Sequence, residues 1–270
     1  MILKTNLHFH TSEDPLDLFI KYDIYKGIRE AKKKGFKVIA STCHDKFIYK
    51  EEHGQYAREQ GILLIPGVEI EIKRAHIIIL NADKEAEKIR TFAALRRYKE
   101  KNKKAFVIAP HPYFGMFSLN GKLNRNIKLF DAVEGNWFFT LGFDRNQKAK
   151  KVAKRHKKPY IASSDTHNIK NLNKSYTLVD ASQFSIESVL DSIKNGRYKN
   201  VMTRLSIFSV IGYLVWYNFS QLKVLINGII GNKGRINIRI PFIDRNNFAI
   251  KRGALLFVLF LSLAFYLIIN

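Results

Sequence analysis

From residue 1 to about residue 200, the sequence alternates short apolar, β-rich runs with stretches of helical pattern. The helical stretches cover residues 14–35, 51–61, 84–104 and 143–158. This alternation predicts an α/β fold with a mainly parallel sheet, either open or closed into a barrel. The strand candidates are MILKTNLHF, FKVIAST, ILLIPGVEIEI, AHIIIL, AFVIAP, DAVEGNW, PYIASS and SYTLVD.

Composition narrows the classes of protein to consider. With 270 residues, 46% of them hydrophobic, the chain is long enough to bury a full core. A single cysteine, Cys43, excludes a disulfide scaffold and fits a reducing compartment. The N-terminus lacks the long apolar segment of a cleavable signal peptide. The net charge of +23 favours phosphate-bearing partners, such as a phosphorylated substrate, nucleic acid or anionic lipid.

The composition changes after residue 204, which predicts three parts: a domain over 1–204, a linker over 205–252 and a tail over 253–270. The apolar and aromatic run at 205–219 suggests an interfacial helix or a cover for the barrel.

The tail carries no charge from Ala254 to Ile269, close to the roughly 17-residue lower limit for a membrane-spanning helix. We therefore expect a C-terminal transmembrane anchor. Lys251 and Arg252 at its start would keep the domain on the cytoplasmic face of the membrane. The alternative is a buried core helix in a cytoplasmic protein.

Histidines and carboxylates gather at the ends of the strand candidates. His8 and His10 close the first candidate and, being two residues apart in a strand, should point to the same face. In α/β barrels, the carboxyl ends of parallel strands form one face, where active sites lie. Mixed imidazole and carboxylate groups bind Zn, Mn or Fe. The further candidates are Asp14 in the following loop and, near later strand ends, His44, Glu69, His76, His111, Asp165 and His167.

These residues fall in a recognisable order of motifs: HxH at His8 and His10, TCH at His44, PGVE at Glu69, then HP and SDTH. The chain resembles the PHP (polymerase and histidinol phosphatase) superfamily in its compact stand-alone form, over about residues 1–200. The resemblance implies a distorted seven-stranded (β/α) barrel, two or three divalent metal ions (Zn, Mn or Fe) and metal-dependent phosphoesterase activity.

The resemblance also assigns ligands. It implies one ion held by His8, His10, Glu69 and Asp165, a second held by Glu69, His76 and His111, and a third held by Asp14, His44 and His167. Glu69, Asp165 and His167 would be the catalytic members. A carboxylate such as Glu69 can bridge two cations about 3.5–4 Å apart.

The sequence departs from the family pattern in two places. Cys43 stands where the family usually has an aspartate that supports the neighbouring ligand His44. Asp14 is one residue closer to the HxH motif than in many members, so Glu13 could replace it. For His76, a plain structural role is the alternative to metal binding.

The expected reaction is hydrolysis of a phosphate ester by a metal-activated water, on a small phosphomonoester or a nucleotide. Neither a nucleophile elbow nor a P-loop is present in the sequence. Tyr113 and Trp137 could stack on a base or ring of the substrate, with core packing as the equal alternative.

Two rival functions remain open on the sequence. One is a nuclease acting on single-stranded nucleic acid, whose binding should fall steeply with salt. The other is a non-catalytic RNA- or membrane-binding barrel, against which the nearly complete ligand set argues. The basic runs lie in helical stretches, where a solvated outer face is their simpler interpretation.

Overall fold

The computed structural model describes residues 1–115, 117–142 and 144–230. The chain divides into two compact units. The first comprises Met1–Pro15 and Ile20–Arg204, and the second takes Leu16–Phe19 and the chain from Leu205 onward. The expected tail, residues 253–270, lies outside the described residues.

The first unit contains two five-stranded sheets among the described residues. The first sheet has the order β10-β9-β1-β2-β3, and the second has the order β4-β5-β6-β7-β8. Parallel and antiparallel pairs occur in both sheets, so the fold is mixed α/β. The strands are β1 Ile2–Asn6, β2 Val38–Ala40, β3 Leu63–Ile65, β4 Gly67–Glu71, β5 His76–Leu80, β6 Phe106–Ala109, β7 Ala132–Gly135, β8 Tyr160–Ala162, β9 Ser175–Asp180 and β10 Tyr198–Met202.

Side-chain caps define where several helices begin. Asp23 accepts a hydrogen bond from the backbone N–H of Lys26, and Thr91 accepts one from the N–H of Ala94. Such caps satisfy N–H groups that have no partner within the helix. The helices are α1 Ile24–Lys33, α2 Glu51–Glu59, α3 Phe92–Lys101, α4 Gly121–Asn126, α5 Asn146–Arg155, α6 Ile186–Lys194 and α7 Ile207–Ile230.

The second sheet is buried on both faces. In β5, Ile77 and Ile79 belong to the core shared with α3, α4 and α5, whereas Ile78 and Leu80 belong to the core shared with the first sheet and α6. Alternate side chains of a strand point to opposite faces. An unbroken apolar run such as HIIIL is therefore what a strand between two cores requires.

The structure refines the predicted elements. The run ILLIPGVEIEI forms two strands, because Pro66 ends the backbone pairing of β3 with β2 before Gly67 starts β4. A Cβ added at Gly67 would lie 2.9 Å from the carbonyl oxygen of Ser41, so only glycine fits there without movement. The helix expected over 14–35 covers only Ile24–Lys33.

The predicted seven-stranded barrel is not confirmed. Among the described residues the strand ladders form two separate sheets, and no ladder closes them into a ring. In the part of the chain that the structure describes, two single bridges add to the ladders: Phe9 pairs with Thr166, and His44 pairs with Glu69 of β4. What the structure supports is the mixed α/β architecture.

The second unit contains α7, which extends beyond the apolar run at 205–219 to Ile230. Within this unit the ring of Phe19 contacts Trp216 and Tyr217 edge-on, with centroids 5.8 and 5.6 Å apart. Within the described part of the chain, no helix is both long and apolar enough to cross a membrane.

Candidate metal centre

A single parallel bridge brings the two ends of the motif set together. Phe9 pairs with Thr166: the N–H of His10 donates to Thr166 O at 3.2 Å, and the N–H of Thr166 donates to His8 O at 3.2 Å. Because Asp165 and His167 flank Thr166, this bridge sets them beside His8 and His10.

A second bridge brings together the TCH and PGVE motifs, which lie in the middle of the motif order. His44 pairs with Glu69, with the N–H of Glu69 donating to Cys43 O at 3.2 Å and the N–H of Asp45 donating to Glu69 O at 2.7 Å. The antiparallel partner strand β5 then starts at His76, opposite Glu71. The two bridges thus gather motifs that are up to 159 residues apart in the sequence, from His8 to His167.

The gathered side chains form one cluster, which we call the metal-site cluster: His8, His10, His44, Glu69, His76, His111, Asp165 and His167. Three sets in it have ligand atoms within 4.8 Å of one another: His8–His10–Asp165, His8–Glu69–His111 and His44–Glu69–His76. A fourth set joins His10, His44 and His167 with Asp17, a buried carboxylate that sequence reasoning did not single out.

Glu69 lies at the middle of the cluster, as expected of a bridging carboxylate. Its Oε1 is 3.0 Å from His76 Nδ1 and 3.4 Å from His111 Nε2. Its Oε2 is 3.2 Å from His8 Nε2 and 3.0 Å from His44 Nε2. The structure therefore places His76, the least secure of the expected ligands, directly against Glu69.

The cluster fits divalent cations. His10 Nε2, Glu69 Oε1 and Asp165 Oδ1 are buried without a hydrogen-bond partner. His10 Nε2 is nevertheless 3.4 Å from both Glu69 Oε2 and Asp165 Oδ1. Buried polar atoms without partners are costly and rare. Converging lone pairs on nitrogen and carboxylate oxygen are the donor set that Zn, Mn and Fe accept.

Asp14 lies behind the ligand histidines. Its Oδ2 accepts hydrogen bonds from His10 Nδ1 at 2.9 Å and from His44 Nδ1 and N at 2.9 and 2.7 Å. A proton fixed on Nδ1 leaves the Nε2 lone pair to face a metal. These contacts fit an orienting role, whereas the family resemblance implied a direct ligand. Glu13, the proposed substitute, instead accepts from the N–H of Ile24.

Glu134 is a member of the site that sequence reasoning missed. It is 1% exposed in β7, its oxygens lie 3.3 and 3.1 Å from His8 Nδ1, and its Oε2 accepts the N–H of His111 at 3.2 Å. It therefore holds the ring of one ligand and the backbone of another. The only signal in the sequence was an acidic residue inside an otherwise apolar strand.

The pKa values of the imidazoles in the cluster differ from one another. Burial opposes protonation of His8, but the neighbouring carboxylates, first Asp165 and then Glu134, raise the pKa of this imidazole to about 10. Burial lowers the pKa of His76 to about 4, against the opposing effect of Glu69. In the metal-free protein at neutral pH, His8 thus carries a proton and His76 does not.

The carboxylates are held ionised. Burial by itself would raise the pKa of Glu69, but the surrounding histidines, first His76 and then His8, lower it well below its usual value. For Asp165, burial is likewise outweighed by His8 and His167, and its pKa falls well below the ordinary range. Both groups are anionic at physiological pH and suited to bind cations.

Two cluster residues adopt backbone conformations that L-residues rarely take. His111 has φ +28° and Asp165 has φ +44°. Positive φ at a non-glycine residue costs on the order of 1–3 kcal/mol and tends to occur at functional sites. His111 lies two residues after the end of β6 and Asp165 three residues after the end of β8, and both side chains reach the cluster.

The two expected substrate-binding residues, Tyr113 and Trp137, are buried, and so is Cys43. Cys43 is 0% exposed, and its Sγ is 3.4 Å from Thr11 Oγ1. Burial, reinforced by the Asp14 carboxylate, raises the pKa of its thiol to about 11. Tyr113 belongs to the apolar core, and Trp137 is 4% exposed and packs edge-on against Phe138. Their surroundings fit core packing, the alternative to stacking on a substrate.

Comparison with known proteins places this geometry in a family. A family model described as PHP-associated matches residues 143–198. A predicted PHP-like metal-dependent phosphoesterase within a two-domain protein of Bacteroides vulgatus superposes with a TM-score of 0.54 at 19% identity, over 75% of this chain and 65% of that one. The matched family model and the shared fold support membership of the PHP superfamily.

Other solved structures share the fold of this chain. PsfC of Pseudomonas syringae superposes with a TM-score of 0.56 at 16% identity, over 80% of this chain and 96% of that one. The lesion-specific endonuclease PfuEndoQ of Pyrococcus furiosus gives 0.54 at 17% identity, over 74% and 58%. The chain thus spans less than two thirds of the Bacteroides protein and of the endonuclease. In sequence, it is 30% identical over 119 residues to the uncharacterized protein MJ1587 of Methanocaldococcus jannaschii, covering 41% of this chain and 68% of that protein.

Proposed function

We propose that this PHP protein hydrolyses a phosphate ester, a small phosphomonoester or a nucleotide, with two or three divalent metal ions held by the metal-site cluster. The observation that carries the proposal is the convergence of imidazole nitrogens and carboxylate oxygens on Glu69, with three buried atoms left without hydrogen bonds. That arrangement is costly unless cations bind there.

Bound cations would lower the pKa of a coordinated water and offset the charge that develops on the phosphoryl oxygens. The chain's own contribution is positional. Glu69 ties the two halves of the cluster, and the partly exposed side chains of Asp165 (19%) and His167 (16%) lie toward the side that a substrate can approach. His167 Nδ1 donates to the backbone oxygen of Asp165 at 3.0 Å, which leaves Nε2 as the atom that can bind a metal or hold a proton.

The test combines metal loading with hydrolysis of p-nitrophenyl phosphate and a panel of nucleotides. We expect metal-dependent turnover that is lost in Glu69→Gln and in His8→Ala/His10→Ala. A matched control is His156→Ala, because this imidazole lies outside the cluster and contacts Asn124 at 3.2 Å. Equal turnover in the cluster variants and the control would contradict the proposal.

A second candidate is hydrolysis of single-stranded nucleic acid. It is favoured by the exposed lysine and arginine side chains of α5, which are not paired with carboxylates in the described residues. A lesion-specific endonuclease, the Pyrococcus furiosus protein, shares the fold of this chain, which also supports this candidate. Turnover of an oligonucleotide that falls steeply with salt, with no turnover of small phosphomonoesters, would favour this candidate. A non-catalytic binding role requires that the cluster take up no metal.

A further inference from the structure

The outer face of α5 carries cations at nearly every exposed position. Six residues of this helix are exposed, and all except Gln147 are lysine or arginine. The inward positions, among them Ala149, Val152 and Ala153, are buried in the core under the second sheet. The cations are Lys148, Lys150, Lys151, Lys154 and Arg155.

These cations lack the acidic partners that other helices provide. Within α1, Lys33 pairs with Glu30 at 2.8 Å; within α2, Arg58 pairs with Glu51 at 2.9 Å; and within α6, Lys194 pairs with Asp191 at 3.8 Å. None of the five α5 cations lies within 4.0 Å of a carboxylate in the described residues. Asp144, just before the helix, instead accepts from the N–H of Asn146 and the amide of Gln147.

This arrangement works against the stability of the helix. Lysine and arginine recur three or four residues apart along α5, as at Lys151 and Arg155, and like charges at these spacings repel. Repulsion among these cations therefore lowers the stability of the helix, although Lys148 and Lys150 also lie over the rings of Tyr113 and Tyr160. Such a charge pattern is typical of a surface that binds a polyanion.

The helix starts beside the metal-site cluster. The side chain of Asn146 exchanges hydrogen bonds with the backbone of Asn136, at 2.7 and 2.9 Å, two residues beyond Glu134. The ammonium of Lys148 lies 4.7 Å from the ring centroid of Tyr113, two residues beyond His111. From there, the ten residues of α5 run about 15 Å.

We propose that the outer face of α5 binds the phosphate backbone of single-stranded nucleic acid and leads the strand away from the metal-site cluster. A membrane surface fits less well, because interfacial helices need large apolar side chains toward the lipid and the exposed positions of α5 have none. A single strand fits better than a duplex, because His8, His10 and Glu69 are at most 1% exposed. A flexible strand can bring one phosphate to the partly exposed side chains of Asp165 and His167 more readily than a rigid duplex can. Binding to this face requires no metal.

The test is fluorescence anisotropy of a fluorescein-labelled 20-nucleotide oligo(dT) with the full chain in EDTA, which prevents turnover. The α5 variant is Lys150→Gln/Lys151→Gln/Lys154→Gln. Its matched control, with the same change of net charge, is Lys26→Gln/Lys32→Gln/Lys33→Gln on α1, all exposed.

We expect the α5 variant to bind the oligonucleotide roughly 100-fold more weakly than the wild type at 0.1 M salt. The slope of log Kd against log salt concentration should be smaller by about 2, because each of the three phosphate contacts to a single strand contributes about 0.7. The α1 variant should bind like the wild type. If the triple α5 variant does not fold, Lys151→Gln and Lys154→Gln singly should each weaken binding about fivefold.

Equal weakening in the α5 and α1 variants would overturn the proposal, since it would show attraction by net charge alone. Unchanged oligonucleotide binding would also overturn it. Loss of binding to phosphatidylserine vesicles, with oligonucleotide binding retained, would assign the face to a membrane instead. None of these results depends on hydrolysis, so each leaves the proposed catalytic function untouched.

Discussion

Replacing Glu134 by glutamine should weaken metal binding without unfolding the protein. Both contacts of Glu134 Oε2, to His8 Nδ1 at 3.1 Å and to the N–H of His111 at 3.2 Å, can be kept by the glutamine oxygen. The amide nitrogen then takes the position 3.3 Å from His8 Nδ1, where two donors face each other. The charge that stabilises the Nδ1–H form of His8 is lost.

The size of the effect follows from these contacts. Changing a hydrogen bond with an ionised acceptor into one between neutral groups costs about 1–2 kcal/mol. This corresponds to a 5- to 30-fold loss of metal affinity, close to the 10- to 100-fold typical of groups that orient metal ligands. The loss of the carboxylate charge also weakens the binding of the proton that competes with the metal at His8. The metal ion is doubly charged and loses more attraction than the proton does, so the net effect is weaker metal binding.

The assay is competition for Zn or Mn against a chromophoric chelator, together with thermal unfolding of the metal-free protein. Glu187→Gln is the matched control, because Glu187 is exposed and pairs with the surface residue Lys104 at 3.4 Å. Glu134→Ala should lose metal affinity and also stability, since it leaves the buried N–H of His111 without a partner. Wild-type affinity in Glu134→Gln would refute an orienting role for this carboxylate.

Three further outcomes are expected. Asp14→Asn should lower metal affinity about tenfold, since it weakens the bonds to His10 and His44 together; unchanged affinity would contradict this. Metal binding at pH 8 should release a proton from His8, whose pKa is raised to about 10, as measured by calorimetry in buffers of different ionisation enthalpy. That pKa exceeds the value near 6.5 in the unfolded chain, so protonation of His8 stabilises the metal-free fold. This stabilisation is complete below pH 6.5 and is lost as the pH rises through about 10. The free energy of unfolding of His8→Ala should therefore depend less on pH than that of the wild type. Native Cys43, buried and with its thiol pKa raised to about 11, should react with a disulfide reagent only after unfolding; fast reaction in the native protein would contradict the burial.

Local patterns were enough to predict most strands of the first unit. Apolar runs such as HIIIL and FVIA are strands in the structure, because residues buried on both faces of a sheet must be apolar throughout. The strand β10, YKNVM, was missed because its alternation is weak and its burial only partial. Its pairing with β9 depends on long-range contacts that no local window contains.

The ends of helices were harder to predict. The helical pattern beginning at Asp14 suggested a long helix, yet α1 begins only after Asp23. Asp14 instead turns inward to His10 and His44. A tertiary contact of this kind overrides local preference, and no spacing rule reveals it.

For the site as well, the sequence was enough to predict some features and not others. The order of the motifs was enough to group the histidines and carboxylates, because most of them lie at or just beyond a strand end, with Glu69 inside β4. The sequence did not distinguish residues that face a metal from those that orient its ligands. Asp14 and Glu134 both contact Nδ1 atoms of histidines, and only the side-chain positions in the fold reveal this.

Metal content per chain tests the central claim most directly. Elemental analysis of protein purified without chelator should compare the wild type with His8→Ala/His10→Ala. The cluster predicts two or three transition-metal ions per wild-type chain and a clear reduction in the variant. No bound metal in the wild type, and none taken up on titration with Zn, Mn or Fe, would contradict a metal-dependent phosphoesterase.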